Sequence, residues 1–189
     1  PFLENFTTSL GLFTVIDANN DGSTWQWEKT NQCAAYRWST KNQGDDWLIS
    51  PPIHLQAGKA YDVTFKARSI SSGAFPERLA ASWGRGNTVA DMTNELQKDT
   101  LLNNDKWRIF SKRITADEDG SYYFGFHAIS DPDRYYLQLD SVSIDLAPQT
   151  TAPDTVTALK ATADANGYLR ATISFNAPTK AIDGSALSS

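Results

Sequence analysis

The chain of 189 residues holds one cysteine and two histidines, and each scarcity closes a line of chemistry. A lone Cys33 excludes an intrachain disulfide and any cysteine-rich metal site. No basic neighbour that would activate its thiolate can be identified, so Cys33 reads as a small buried hydrophobe. His54 and His127 are the only imidazoles, and the chain carries no His-Glu-x-x-His, no nucleophile elbow and no phosphate loop. His127 falls in mid-strand on the face opposite the aromatic one, the place of an ordinary surface histidine rather than a general base. The Glu-x-Asp-x-x-Glu strand of laminarinase-like sandwiches is also missing, and Glu77, Glu95 and Glu118 fall in loop, helix-like and turn sequence, so no two carboxylates are set to flank one glycosidic bond. The reading is that the protein is not an enzyme.

Basic excess is lacking too. The net charge of −5 and pI near 4.9, with Lys and Arg scattered, exclude a nucleic-acid groove and a docking site for anionic membrane. No apolar run reaches transmembrane length, so direct membrane insertion is not expected. Pro1-Phe2-Leu3-Glu4 has neither the basic start nor the apolar core of a signal peptide and reads as a processed or trimmed end.

What is present is aromatic and β-rich: 40% hydrophobic and 12% aromatic content provides for one substantial core and the beginning of a second. Tyr61, Val63, Phe65 and Ala67 alternate with Asp62, Thr64, Lys66 and Arg68, which predicts a strand with one face on the core. Trp47-Leu48-Ile49, stopped by Pro51-Pro52, predicts a short strand buried on one face. Arg78 to Trp83 predicts another, and Asn87 to Leu96, with Thr88 as cap, predicts a short helix. Trp107–Ile114 and Tyr122–Ile129 read as two strands joined in a hairpin by Asp117-Glu118-Asp119-Gly120, with Tyr122, Phe124, Phe126 and Ala128 facing inward. Between Tyr135 and Leu146 the apolar residues switch from odd to even positions, which a single strand accommodates only with a bulge near Asp140-Ser141. Eight or nine short strands with almost no helix predict an antiparallel β-sandwich over residues 1–147. The proline-bearing stretch 148–152 reads as a linker, and Val156, Leu159 and Tyr168–Phe175 as the first two strands of a second β-domain.

The chain is organised around Asp17-Ala18-Asn19-Asn20-Asp21-Gly22-Ser23-Thr24-Trp25. Oxygen-bearing side chains on alternate residues, then a glycine free to take positive φ, are what Ca²⁺ asks of a tight loop, and Glu28 stands where an EF-hand places its last carboxylate. The β-branched and aromatic flanks exclude the EF-hand itself, and the same residues also make a good turn between two strands, so a metal loop and a plain turn are both open. Asp46, at the mouth of the Trp47 strand, and Asp140, at the bulge, are further candidate ligands; the alternative for Asp140 is a charge guarding a sheet edge. Tryptophan and tyrosine can stack on sugar faces, but most of the six tryptophans and seven tyrosines must be core. Trp47 and Trp107 follow core patterning, which leaves Trp38, Trp83 and Tyr135 as candidate ligand contacts for a glycan or a protein.

Phe13 to Trp25, Asp46 to Leu55, Met92-Thr93-Asn94-Glu95-Leu96 and Leu139 to Ile144 together resemble the cleaved-adhesin, or choice-of-anchor J, family over about residues 2 to 146. These are jelly-roll modules of secreted and surface proteins of Bacteroidetes, among them the adhesin repeats of gingipains. The resemblance implies a jelly roll with bound structural calcium and an extracellular or outer-membrane-associated binding role, toward a host or matrix protein or a glycan; the glycan case would make the chain an accessory module of a secreted polysaccharide-degrading enzyme or protease. Calcium ligands are expected among Asp17, Asn19, Asp21, Asp46, Asp140 and Glu4, which meet only if the first and last strands lie close together. Family members often carry two adjacent acidic residues where this chain has Asp140-Ser141, and Glu28 is not part of the family pattern. Residues 153–189 resemble the opening of a fibronectin type III module, with Phe175 at a usual tryptophan position. Such a sandwich takes about seven strands, so this second β-domain is expected to be truncated and ordered by packing on the jelly roll or on another copy of the chain, its exposed edges favouring pairing between chains.

Overall fold

The computed structural model describes residues 1–71, 73–148, 153–167 and 170–182. These fall into two compact units, Pro1–Ala147 and Pro148–Ser189. Alternation builds the first. In β7, Ala60–Ser69, every second residue is buried, and in β11, Gly120–Ala128, Tyr122, Phe124, Phe126 and Ala128 point inward as expected. Around β7 lie β10 (Arg108–Thr115), β12 (Tyr136–Leu146), β4 (Cys33–Arg37) and β3 (Trp25–Glu28), in the order β10-β7-β12-β4-β3, with β1 (Phe2–Glu4) also paired to β12. Around β11 lie β2 (Thr14–Asp17), β5 (Asp46–Ile49), β8 (Glu77–Gly84) and β9 (Asn94–Leu102), in the order β2-β5-β11-β8-β9, with β6 (Ile53–Leu55) also on β11. All pairings are antiparallel, and the first and last strands of the unit are neighbours.

The two sheets enclose one core. Phe65 of the first meets Phe126 of the second edge to face at 5.0 Å, and Phe6, Phe124 and Leu137 are wholly buried around them. Each such side chain contributes roughly 1.5–3 kcal/mol by leaving water. The bulge falls where the switch of parity places it: pairing with β7 shifts between Asp140 and Ser143, and Ser141 takes φ +52°.

Four expectations are corrected. Asn87–Leu96 is not a helix: Val89–Asp91 makes one 3₁₀ turn, with the Asp91 carboxylate accepting from the Thr88 amide and hydroxyl, and Leu96 is drawn into β9 by pairing with β8. Asp117–Gly120 does not close a hairpin, because β10 and β11 lie in different sheets. The Tyr122 hydroxyl donates to Asp117 and accepts from the Glu118 amide, turning the chain across the sandwich. The Trp47 strand is buried on both faces, with Trp47 pointing outward onto His127. Trp107 is half-buried outside the core, under the Arg68 guanidinium 4.3 Å from its ring centroid.

In the second unit β13 (Thr157–Ala163) pairs antiparallel with β14 (Ala171–Asn176). Val156, Leu159, Ile173 and Phe175 are exposed, and Tyr168 and Leu169, expected at the head of the second strand, lie outside the described residues.

Candidate functional site

The acidic loop joins the end of β2 to the start of β3, in different sheets. Asn20 at φ +54° and Gly22 at φ +79° turn the chain back, so that its amides face its own carboxylates. Asp17 accepts from the amides of Asp21 and Gly22, Asn19 Oδ1 also accepts from Asp21, and Asp21 Oδ1 accepts from Ser23 at 2.7 Å. Beside this loop Asp46 stands opposite Asp17 in the β2–β5 ladder, with no exposed surface. Its Oδ2 accepts from the Asp45 amide at 3.2 Å, and its carbonyl accepts from the Trp25 indole at 3.1 Å. Burial pushes the Asp46 carboxyl up to about 7, aided by the negative charges of Asp17 and Asp21, while the nearby Thr24 hydroxyl and the Asp45 amide pull it down.

Three buried oxygens here have no hydrogen-bond partner: Asp21 Oδ2, Asp46 Oδ1 and Thr24 Oγ1. Two carboxylate oxygens and a hydroxyl, shielded from water, are donors of the hard, oxygen-only kind that Ca²⁺ takes. As the side chains stand, no three His, Cys, Asp or Glu among the described residues form a group that could hold a metal ion, and both Asp17 oxygens accept from the loop's amides.

The other two candidate ligands lie in the first sheet. Glu4 stands opposite Val142, just past the bulge, and accepts from the Phe6 amide at 2.7 Å. Asp140 accepts from the Ser141 hydroxyl at 3.1 Å and leaves Oδ1 buried without a partner. Both thus flank the β12 bulge, and no hydrogen bond or ion pair among the described residues joins either to the Asp17–Asp46 group. Glu28 closes its own turn by accepting from the Thr30 and Asn31 amides.

Of the three aromatic candidates the structure brings two together. Trp38, just past β4, and Tyr135, just before β12, lie 5.0 Å apart, and Tyr136 packs edge-on against both at 5.1 and 4.9 Å. Phe75 extends the group on the Tyr135 side at 6.5 Å. Trp83 is elsewhere, half-buried on the core against Tyr122 and Phe124. Beside Trp38 opens a polar cleft of about 360 Å³, walled by Arg37, Ser39, Lys41 and Asn42 and, on the loop side, by Asp21 and Ser23. The acidic loop and Trp38 therefore border one cavity.

Two groups escaped the sequence. Glu77 opens β8 with no exposed surface and accepts from the Tyr135 amide at 2.8 Å; burial raises its carboxyl, against the pull of Ser130 and Arg134. Its place after Phe75-Pro76 carried only a loop signal. His127 is stacked on Trp47 at 4.1 Å and bonded to Asp45 Oδ1 at 2.7 Å, more enclosed than a surface histidine. Cys33 is fully buried, as its reading required, and burial pushes its thiol up to about 12.

Two antiparallel sheets closed over one core in this strand order define a jelly-roll sandwich. No family model matches the chain, and no curated protein matches it. Among solved structures, the K1 cleaved adhesin domain of Lys-gingipain from Porphyromonas gingivalis is similar at a TM-score of 0.64 and 21% identity, covering 78% of this chain and 98% of that one. The K3 cleaved adhesin domain of the same protein follows at 0.62 and 18%, covering 76% and 95%. The CBM22-2 xylan-binding domain of Xyn10C from Paenibacillus barcinonensis is similar at 0.52 and 14%, covering 77% and 99%. At such identities the likeness is one of fold, the jelly roll of cleaved adhesin domains and of carbohydrate-binding modules.

Proposed function

We propose that residues 1–147 form a non-catalytic binding module of a secreted or surface protein, with calcium held structurally at the acidic loop. The observation that carries this reading is the cleft bordered on one side by Asp21 and Ser23 of the loop whose buried oxygens lack partners and on the other by the half-buried ring of Trp38, which lies 5.0 Å from the exposed Tyr135. The ligand is then a host or matrix protein or a glycan, the latter favoured by a recess rather than a flat apolar patch.

The two raised carboxyls do not argue for catalysis. Asp46 and Glu77 are wholly enclosed, and a general acid must reach its substrate. The fold likeness to adhesin and carbohydrate-binding domains supports the same reading, and no helix among the described residues is long and apolar enough to cross a membrane. When bound, Ca²⁺ would supply positive charge to Asp46 and Asp21; the chain's own part is to hold those carboxylates through the Asp45 and Ser23 amides, while the Trp25 indole holds the Asp46 backbone carbonyl. For residues 153–189 we propose a partial fibronectin type III-like domain whose exposed Leu159, Ile173 and Phe175 pair with another copy, tested by sedimentation over a concentration series with Phe175→Ser.

Arrays of glycans, matrix proteins and haem-proteins, probed with calcium and with chelator, test the main reading. Saturable binding to one class is expected. Turnover of a polysaccharide or peptide that survives rigorous purification overturns it.

A further inference from the structure

We infer that the cleft lined by Trp38, together with the exposed Tyr135 and Phe75 that continue from that ring outside it, is a subsite for a neutral saccharide; this rests on the binding-module reading and narrows it. The rings are placed as a platform rather than as core. Tyr135 and Phe75 keep 40% and 44% of their surface exposed although the core is filled by other aromatics. Leaving large apolar faces side by side in water is unfavourable.

The platform is stiff. The Trp38 amide donates to the Tyr135 carbonyl at 3.3 Å, extending the β4–β12 ladder by one step, and the Asp133 amide donates to the Ser39 carbonyl at 2.8 Å. Behind it the buried Glu77 carboxylate holds the Tyr135 amide, and Tyr136 buttresses both rings edge-on. Rings fixed in this way lose little entropy on binding.

The cleft chooses the ligand class. Its volume of about 360 Å³ lies at the lower end of small-molecule sites, roughly 300–1,000 Å³. Apart from Trp38 its walls are hydroxyl, amide and charged groups of both signs: Ser39, Thr40 and Asn42 between Arg37 and Lys41 on one side and Asp21 on the other. An apolar ligand finds no enclosing apolar wall, an anion meets Asp21 and a cation meets Arg37 and Lys41. A pyranose meets both requirements, laying its C–H face on an aromatic ring and turning its hydroxyls to mixed donors and acceptors. A protein partner would instead be expected to cover a broad apolar patch and leave a polar recess wet.

The test is native affinity electrophoresis of the full chain through soluble xylan, mixed-linkage β-glucan and galactomannan, with calorimetry against the matching hexasaccharides. Trp38→Ala and Tyr135→Ala are each expected to weaken binding about tenfold. Trp38→Phe, which keeps a ring, should retain most of it, and Ile109→Ser, at an exposed apolar site on β10, all of it. Should either alanine variant misfold, protection of Trp38 from N-bromosuccinimide by bound hexasaccharide, read by peptide mapping, gives the same answer. Absence of retardation by all three polysaccharides overturns the proposal, as does retardation that the Trp38 and Tyr135 variants share in full with no protection of Trp38. Saturable binding to a matrix protein without glycan binding overturns the subsite but leaves the module, whereas release of reducing ends overturns the module itself.

Discussion

Asp46 stands directly opposite Asp17 in the β2–β5 ladder, two carboxylates on adjacent strands with one of them wholly buried. Like charges at that spacing are unfavourable unless a proton or a cation intervenes. The folded Asp46 carboxyl lies near 7, above its unfolded value, so its stabilising contribution is full below about pH 4 and is lost as pH rises through 7. The span is on the order of 4 kcal/mol. In chelator, Asp46→Asn is therefore expected to melt above the wild type at pH 8 and level with it near pH 4. In millimolar calcium the order at pH 8 should reverse, because only the carboxylate gives the metal a charged ligand. Equal melting temperatures at pH 8 with calcium and with chelator would sink the metal assignment.

Glu77 makes a prediction of a different kind. Removing its side chain strands the Tyr135 amide and opens a hole under the aromatic corner. Glu77→Ala is expected to lose about 1–3 kcal/mol in urea unfolding, from the unsatisfied amide alone. Glu77→Gln keeps an acceptor carbonyl and should lose less. A Glu77→Ala chain as stable as the wild type would show that the carboxylate positions nothing.

His127 titrates in the opposite sense to Asp46. Burial lowers its pKa, with Asp45 pulling it back up, so the neutral ring belongs to the folded state and stability falls as pH drops below about 6.5. NMR titration should place its midpoint under 6.5, with the Trp47 indole shifting in step because the rings are stacked. A midpoint above 6.5 would mean that Asp45 outweighs burial.

How much of this was legible depends on whether a residue's role is set by its neighbours in sequence. Alternation in β7 and β11, and the change of parity at Asp140-Ser141, are local, and the faces and the bulge follow from them. Trp47 and Trp107 are not local. Trp47 sits in an unbroken apolar run where no period tells inside from outside, and Trp107 is taken from the core by Arg68, far from it in the chain. Asp117–Gly120 shows the limit of turn chemistry, which specifies reversal but not whether the flanking strands pair or change sheets. In the site, the spacing of Asp17, Asn19 and Asp21 was visible, whereas the burial of Asp46 and Glu77 required the fold.

Gly84 fixes the route of the segment that includes the 3₁₀ turn. A Cβ added there would lie 1.8 Å from the Asp91 carbonyl oxygen, a backbone atom that no side-chain rotation can move. Gly84→Ala is expected to displace residues 85–93 and to cost about 1–3 kcal/mol or more, as overpacking does. Gly22→Ala meets no atom and strains only its φ of +79°, so in chelator it should cost less. A Gly84→Ala chain with unchanged stability would mean that the turn is not packed against β8.

The last prediction joins the two walls of the cleft. Asp21 belongs to the loop with unpartnered buried oxygens, where calcium is proposed, and it also lines the cavity beside Trp38. A metal that fixes Asp21 and Ser23 fixes one wall of the saccharide subsite, so part of the ordering is done before the ligand arrives. Binding should then be coupled: removing calcium is expected to weaken glycan affinity about 5-fold or more, within the ordinary range of coupling between sites. Linkage requires the same factor in reverse, so saturating glycan must tighten calcium by an equal amount. Calorimetric titrations of each ligand with and without the other measure both factors. Asp21→Asn should reduce them together, while Asp140→Asn, at the bulge and outside the cleft lining, should leave them in place. Glycan affinity unchanged by chelator, in a chain whose melting temperature does respond to calcium, would show that the loop stabilises the fold without shaping the site.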